Sequence, residues 1–380
     1  MTLLLALVGA IVWIVLLAFR GGFWQAKERD DCDPPAEPAI WPGVTAVVPA
    51  RNEVDVVAQA IGSLRRQDYP GRFRIVLIDD NSTDGTAEAA QAARGAHDLE
   101  VIAGAPLGPG WTGKLWAQSQ GVARAAADTP DYLLLTDADI FHEAGNLRRL
   151  VARAEANGLV LTSLMARLTV RSGWERLLIP AFVFFFDMLF PFAWVNDPKR
   201  RTAAAAGGCM LVRREALEAA GGLAAIRGQI IDDCALGRLL KQNGPIWLGL
   251  TKRAQSLRPY GSFADIARMV ARSAYAQLGY SPLLLAGTVV AMGAVFAAPL
   301  LLTVFAHGPA RWLALATWLA MAAAMQPMLR LYRLWGLWGM ALPLAGALYG
   351  AFTLWSAIES WRGRGGQWKG RAQDAMGLAQ

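Results

Sequence analysis

Two carboxylates separated by one small residue stand where an apolar run ends, in Leu133-Leu134-Leu135-Thr136-Asp137-Ala138-Asp139-Ile140. The run reads as a buried parallel strand, and the carboxyl edge of an open α/β sheet is where ligands bind. Residues i and i+2 of an extended segment point the same way, so Asp137 and Asp139 face one ligand together. Paired hard oxygen donors suit Mg²⁺ or Mn²⁺ bridged to a diphosphate. The bland alternative is a polar turn after a core strand, since Asp favours turns for conformational reasons. Two further acidic pairs stand out, Asp79-Asp80 at another strand end and Asp232-Asp233 opening a helix, where acids also complement the helix dipole. The histidines, His97, His142 and His307, lie beside no nucleophile motif, so a general base is expected to be a carboxylate.

Positioning these acids requires a sheet, and the pattern supplies one. Strand-like 44–48, a helix over 54–66 and strand-like 74–78 alternate as in a nucleotide-binding α/β fold. The first strand ends Pro49-Ala50-Arg51-Asn52-Glu53, where the proline is expected to stop the ladder and Asn52-Glu53 to meet a base or ribose. The second ends Asp79-Asp80-Asn81-Ser82-Thr83-Asp84-Gly85-Thr86, acids followed by a helix-capping cluster. Together the turns read as two walls of one nucleotide pocket. A strand over 99–103 leads to Gly108-Pro109-Gly110-Trp111-Thr112-Gly113-Lys114, which almost spells a Walker A loop; Leu115 stands where a metal-binding Ser or Thr is needed. Residues 108–114 therefore read as a mobile loop, with Lys114 a cation for a diphosphate or simply a surface lysine. A helix over 144–156 and a strand-like run at 159–164 follow.

The ordered motifs Val48-Pro49-Ala50-Arg51-Asn52-Glu53, Ile78-Asp79-Asp80-Asn81-Ser82-Thr83-Asp84-Gly85-Thr86 and Asp137-Ala138-Asp139 are similar to those of the inverting GT-A glycosyltransferases, the superfamily of cellulose synthase, dolichyl-phosphate mannosyltransferase and ceramide glucosyltransferase. The resemblance implies an α/β GT-A domain, Rossmann-like, binding a nucleotide-diphosphate sugar. Asp79 and Asp80 would hold its base and ribose beside the Pro49, Arg51 and Glu53 wall. Asp137 and Asp139 would hold Mg²⁺ or Mn²⁺ on its diphosphate, near Lys114. Downstream, Gly207-Gly208-Cys209, Arg213-Arg214-Glu215, Gly221-Gly222-Leu223 and Asp232-Asp233 resemble the acceptor half of the same superfamily, which makes Asp233 the base. Asp232 stands where Glu is usual. Of the Gln/Arg-x-x-Arg-Trp sequence of processive synthases only Arg272 remains, as a diphosphate contact or as one arginine on a basic helix face meeting lipid phosphates. The layout, with Gly110-Trp111-Thr112-Gly113-Lys114-Leu115-Trp116-Ala117, looks most like the hopene-associated glycosyltransferases of hopanoid-making bacteria. That implies a lipid, hopanoid or other isoprenoid, acceptor.

Composition agrees with a membrane enzyme. The 380 residues are 54% hydrophobic and carry a net charge of +7, which suits lipid headgroups or an anionic donor, and no nucleic-acid motif is present. Cys32, Cys209 and Cys234 have no metal-type spacing. The expected layout is a transmembrane anchor at 1–22, an acidic, proline-rich linker at 23–42, the GT-A domain at 43–280, a C-terminal transmembrane helical bundle at 281–360 and a basic tail at 361–380. Arg20, Lys27 and Arg29 after the anchor predict a catalytic domain facing the cytoplasm, on the inner membrane of a bacterium. Three C-terminal crossings would put the tail, with Lys369 and Arg371, outside; a re-entrant last segment would not. The apolar stretch 174–195, interrupted by Pro180, Asp187 and Pro191, reads either as an interfacial hairpin meeting the lipid or as a buried core helix of the GT-A domain.

Overall fold

Apolar strands alternating with helices assemble an eight-stranded sheet in the computed structural model, which describes residues 1–366. The strands are β1 (Val44–Ala50), β2 (Phe73–Asp79), β3 (Asp98–Ala103), β4 (Tyr132–Thr136), β5 (Ile140–His142), β6 (Leu161–Arg167), β7 (Cys209–Arg213) and β8 (Ile246–Ser256), in the spatial order β3-β2-β1-β4-β7-β6-β8-β5. The first four are mutually parallel, β7 runs against both β4 and β6, β8 is parallel to β6, and β5 closes the edge antiparallel to β8. One edge of the sheet therefore collects the ends of β1, β2, β4 and β8 and the start of β7.

Pro49 does not stop the ladder. It pairs with Ile78, and Ala50 with Asp79, while pairing of β1 with β4 already ends at Val47 and Leu135. The missing N–H thus falls beyond the β4 register, where it is not needed. Behind the edge, the helix Gly113–Ala126 lies directly on β1 and β2: a Cβ on Gly121 would come within 2.4 Å of Val47 Cγ1 and 3.2 Å of Ile78 Cγ1. Only a glycine permits that approach in a close-packed interior, and it fixes where the first turn of the helix, with Lys114, emerges.

The chain divides into two compact units. The sheet unit holds Glu28–Thr169 and Trp194–Arg258; an apolar unit holds Met1–Lys27, Val170–Ala193 and Pro259–Gly366. The sheet unit ends at Arg258, and Val170–Ala193 groups with the apolar helices. Its helix, Gly173–Leu189, runs unbroken through Pro180 and starts from a capping box between Ser172 and Glu175. Phe184 packs edge-on against Phe23, and Phe185 against Phe296 and Tyr349. The Arg20 guanidinium donates to the carbonyls of Met188 and Leu189, both at 2.9 Å, satisfying the helix end with a cation. Within this unit Trp13 Nε1 donates to the Val295 carbonyl (2.9 Å) at a π-helical turn, Gly293–Ala297.

Among the described residues, four helical stretches are long and apolar enough to cross a membrane, Thr2–Phe19, Pro282–Phe305, Pro309–Leu331 and Gly336–Trp361. They leave large apolar side chains such as Leu4, Ile14, Leu283, Val290 and Phe305 exposed, a surface that water alone does not favour. Lys369 and Arg371 of the basic tail lie outside the described residues.

Candidate active site

Lys114 and Asp137 meet because the first turn of helix Gly113–Ala126 faces the end of β4. Lys114 Nζ stands 2.8 Å from Asp137 Oδ1 and 3.2 Å from Asp232 Oδ2. Lys114 is thus part of a helix rather than of the loop before it, and it bridges the metal-type acids to the acidic pair opening helix Asp232–Lys241. Burial opposes its charge, but Asp137 and Asp232 outweigh that and hold the ammonium pKa above its ordinary value. The neighbouring Asp233 accepts from Cys234 N–H (2.7 Å, Oδ1) and Gly207 N–H (2.9 Å, Oδ2). Burial, with the charge of Asp232 behind it, pushes the Asp233 carboxyl up to about 6 against the pull of Lys114 and the two N–H groups. A carboxylate that titrates near neutrality is suited to taking a proton.

The small-residue turn between the halves is sized for this. A Cβ on Gly207 would lie 3.1 Å from Lys114 Nζ and 3.4 Å from both Cβ and Oδ2 of Asp233. Thr136 Oγ1, at the end of β4, donates to the Gly208 carbonyl (2.7 Å), tying that turn to the strand that delivers Asp137. The loop before Lys114 is tied to the approach to Asp233, since Thr112 N–H donates to the Arg227 carbonyl at 2.9 Å.

Asp139 is held separately. Its carbonyl accepts from Leu257 N–H (2.8 Å), and its Oδ2 receives Ser256 Oγ (3.1 Å) and Arg258 Nε (3.3 Å). The same guanidinium donates through Nη2 to Glu53 Oε1 at 2.6 Å. Sequence reasoning gave Ser256 and Arg258 no place here. The available signal was a strand over 246–256 that would carry them to the ligand edge, but its burial is irregular and it lacks the plain alternation of a half-buried strand.

The two donor-side turns are stitched to each other. Asn52 N–H donates to Ser82 Oγ (3.0 Å), Thr83 N–H to Asn52 Oδ1 (3.0 Å), Glu53 N–H to Thr86 Oγ1 (2.8 Å) and Val54 N–H to Asp84 Oδ2 (3.2 Å). Asn52 and Asn81 both adopt positive φ, 51° and 54°, which asparagine tolerates better than most residues. Arg51 donates to the carbonyl of the fully buried Asp80 and lies 3.6 Å from its carboxylate. Asp79 Oδ1 accepts from Ser82 N–H at 3.2 Å. Pro49, Arg51, Glu53, Asp79 and Asp80 thus share one corner of the edge. Arg272 is the exposed C-cap of helix Phe263–Ala271 in the apolar unit.

The donor set fits a divalent ion of the Mg²⁺ or Mn²⁺ kind. Asp137, with a third of its side chain exposed (34%), and Asp139 offer hard oxygens from one strand end. No cluster of three or more His, Cys, Asp or Glu suited to a metal occurs among the described residues, so water and ligand oxygens would have to complete the shell, as Mg²⁺ sites normally arrange. Asp137, Asp139, Asp232, Asp233 and Glu53 outnumber Lys114 and Arg258, which leaves the edge favourable to cations.

Known proteins bear on this geometry. The chain is 30% identical over 176 residues, 45% of its length, to an N-acetylglucosaminyltransferase of Rhizobium leguminosarum bv. phaseoli, and 28% identical over 202 residues to one of Mesorhizobium japonicum. It spans about two fifths of those relatives, 36% and 42%. Among solved structures, the mannosyltransferase PcManGT of Pyrobaculum calidifontis, in complex with GDP-Man and Mn²⁺, matches 95% of this chain and 99% of its own at 18% identity with a TM-score of 0.56, a likeness of fold. Residues 45–221 match the model of glycosyl transferase family 2, and the sheet is of the GT-A α/β fold.

Proposed function

We propose that this protein is a membrane-bound, metal-dependent, inverting glycosyltransferase. It moves one sugar from a nucleotide-diphosphate sugar, in the first instance a UDP-sugar, to a lipid acceptor of hopanoid or other isoprenoid type. The observation that carries the reading is Asp233, a carboxylate pushed up to about 6 and held by Gly207 and Cys234 beside Lys114, which reaches back to Asp137. In this reading the acceptor hydroxyl attacks the anomeric carbon from the face opposite the diphosphate. The new C–O bond forms as the bond to the diphosphate oxygen breaks, and the hydroxyl proton passes to a free lone pair of Asp233. Lys114 supplies positive charge to the leaving diphosphate. Asp137 and Asp139 would hold Mg²⁺ or Mn²⁺, which when bound offers further charge to the same oxygens. The Asp79–Asp80 and Arg51–Glu53 corner takes the nucleoside.

The apolar helices support a multi-pass setting in a bacterial inner membrane with the sheet unit in the cytoplasm. There the acceptor would be drawn from the cytoplasmic leaflet. The test is incubation of the purified full chain with Mg²⁺ or Mn²⁺, a panel of UDP- and GDP-sugars including N-acetylhexosamines, and hopanoid-containing lipid extract, read by mass spectrometry. One hexose or N-acetylhexosamine added to one lipid is expected. A ladder of additions would identify a polysaccharide synthase instead, and no adduct from any donor would contradict the proposal.

A further inference from the structure

We propose that Arg258 is a positioning residue that competes with the divalent cation for Asp139, so that the metal enters together with the nucleotide diphosphate rather than alone. The inference rests on the metal-dependent reading above. Arg258 places Nε 3.3 Å from Asp139 Oδ2 and Nη2 2.6 Å from Glu53 Oε1, joining the end of β4 to the turn after β1. Both carboxylates are largely shielded, at 14% and 12% exposure, while the arginine is 38% exposed and so can move outward. Lys114 claims the other acid, Asp137, at 2.8 Å. Each carboxylate of the pair is thus already matched with a cation, and a free ion must displace or repel one of them. A metal arriving on a diphosphate brings its own negative charge, which gives the displaced guanidinium and ammonium an alternative partner.

Asp139 does not depend on Arg258 for its place. Its carbonyl is fixed by Leu257 N–H (2.8 Å) and its carboxylate by Ser256 Oγ (3.1 Å). Removing the guanidinium charge should therefore free a metal ligand without dismantling the site. The variants are Arg258→Gln, which removes the charge, and Arg258→Lys, which keeps it. The readout is Mn²⁺ binding to the full chain in detergent, by electron paramagnetic resonance of the free ion, without nucleotide and with UDP or GDP. Arg258→Gln should bind Mn²⁺ alone about tenfold more tightly than wild type, the size expected for one partly solvated charge at short range. Arg258→Lys should stay near wild type, and added nucleotide should tighten Mn²⁺ binding strongly in wild type but little in Arg258→Gln. Equal or weaker Mn²⁺ binding by Arg258→Gln, with wild type still binding Mn²⁺ alongside nucleotide, would overturn this inference and leave the proposed function standing. Failure of every protein to bind Mn²⁺ under any condition would overturn both.

Discussion

Replacing Lys114 by Gln removes a cation that touches both halves of the candidate site, 2.8 Å from Asp137 and 3.2 Å from Asp232. Breaking a fully buried pair from one side costs about 3–5 kcal/mol. Asp137 is a third exposed and water relieves part of the imbalance, so a stability loss of about 1–2 kcal/mol is the reasonable figure. The catalytic effect should be larger. Loss of one charge preorganised for the leaving diphosphate corresponds to about 10²–10³ in kcat. A third consequence is directional. Lys114 pulls the Asp233 carboxyl down against burial and Asp232, so its removal must raise that pKa above about 6. The assay is the pH dependence of kcat/KM for transfer. In wild type the rate should fall as the pH drops below about 6, when the base takes up a proton, and in Lys114→Gln that limb should move to higher pH. Lys114 itself, with its pKa raised, keeps its charge throughout this range. A variant with kcat within fivefold of wild type and an unmoved acid limb would refute both the leaving-group role and the coupling of Lys114 to Asp233.

Asp233 gives a linkage prediction with the opposite sign from most carboxylates. Its folded pKa lies above the unfolded value of 3.8, so the folded state holds more protons between pH 3.8 and about 6 and loses stability as the pH rises through that window. Wild type should therefore gain stability relative to Asp233→Asn as the pH falls from 7 to 4, in paired denaturant titrations; a difference constant with pH would show that the base is not perturbed. Gly207→Ala puts a methyl 3.1 Å from Lys114 Nζ and 3.4 Å from Asp233 Oδ2 without a backbone penalty, and should lower kcat about tenfold through misplacement of a few tenths of an ångström while the melting temperature barely moves. Gly121→Ala does the reverse. Its Cβ meets Val47 Cγ1 at 2.4 Å, and overpacking of this kind costs about 1–3 kcal/mol, visible as a lower denaturant midpoint.

Much of the sheet unit was readable from local pattern. The runs at 44–48, 74–78, 99–103 and 133–136 lie within β1 to β4, and the acids after them come to one edge because consecutive parallel strands share a direction. Lys114 announced itself by its position after a glycine-rich stretch, although helix Gly113–Ala126 rather than a loop carries it. What escaped depends on long-range pairing. β5 has three residues, and β8 is too irregular to read as a strand, so the route that brings Ser256 and Arg258 to Asp139 has no local signature. Pro49 misleads for a related reason, since whether its missing N–H matters depends on which neighbour pairs there, and β4 has already let go. Residues 174–195 left two packings open because an apolar helix carries no mark of which core receives it. In the structure its Phe184 and Phe185 pack against Phe23, Phe296 and Tyr349.

If Asp233 takes the proton during sugar transfer, Asp233→Asn should separate binding from chemistry. Donor affinity would be titrated with the nucleotide sugar identified by the product screen, and single-turnover transfer to the lipid followed by mass spectrometry. Donor binding should stay within about threefold of wild type, because Asp233 touches neither the nucleoside corner nor Asp139, with transfer slowed by about 10²–10⁴, the usual worth of a general base. Transfer at an undiminished rate with the donor bound would contradict that role.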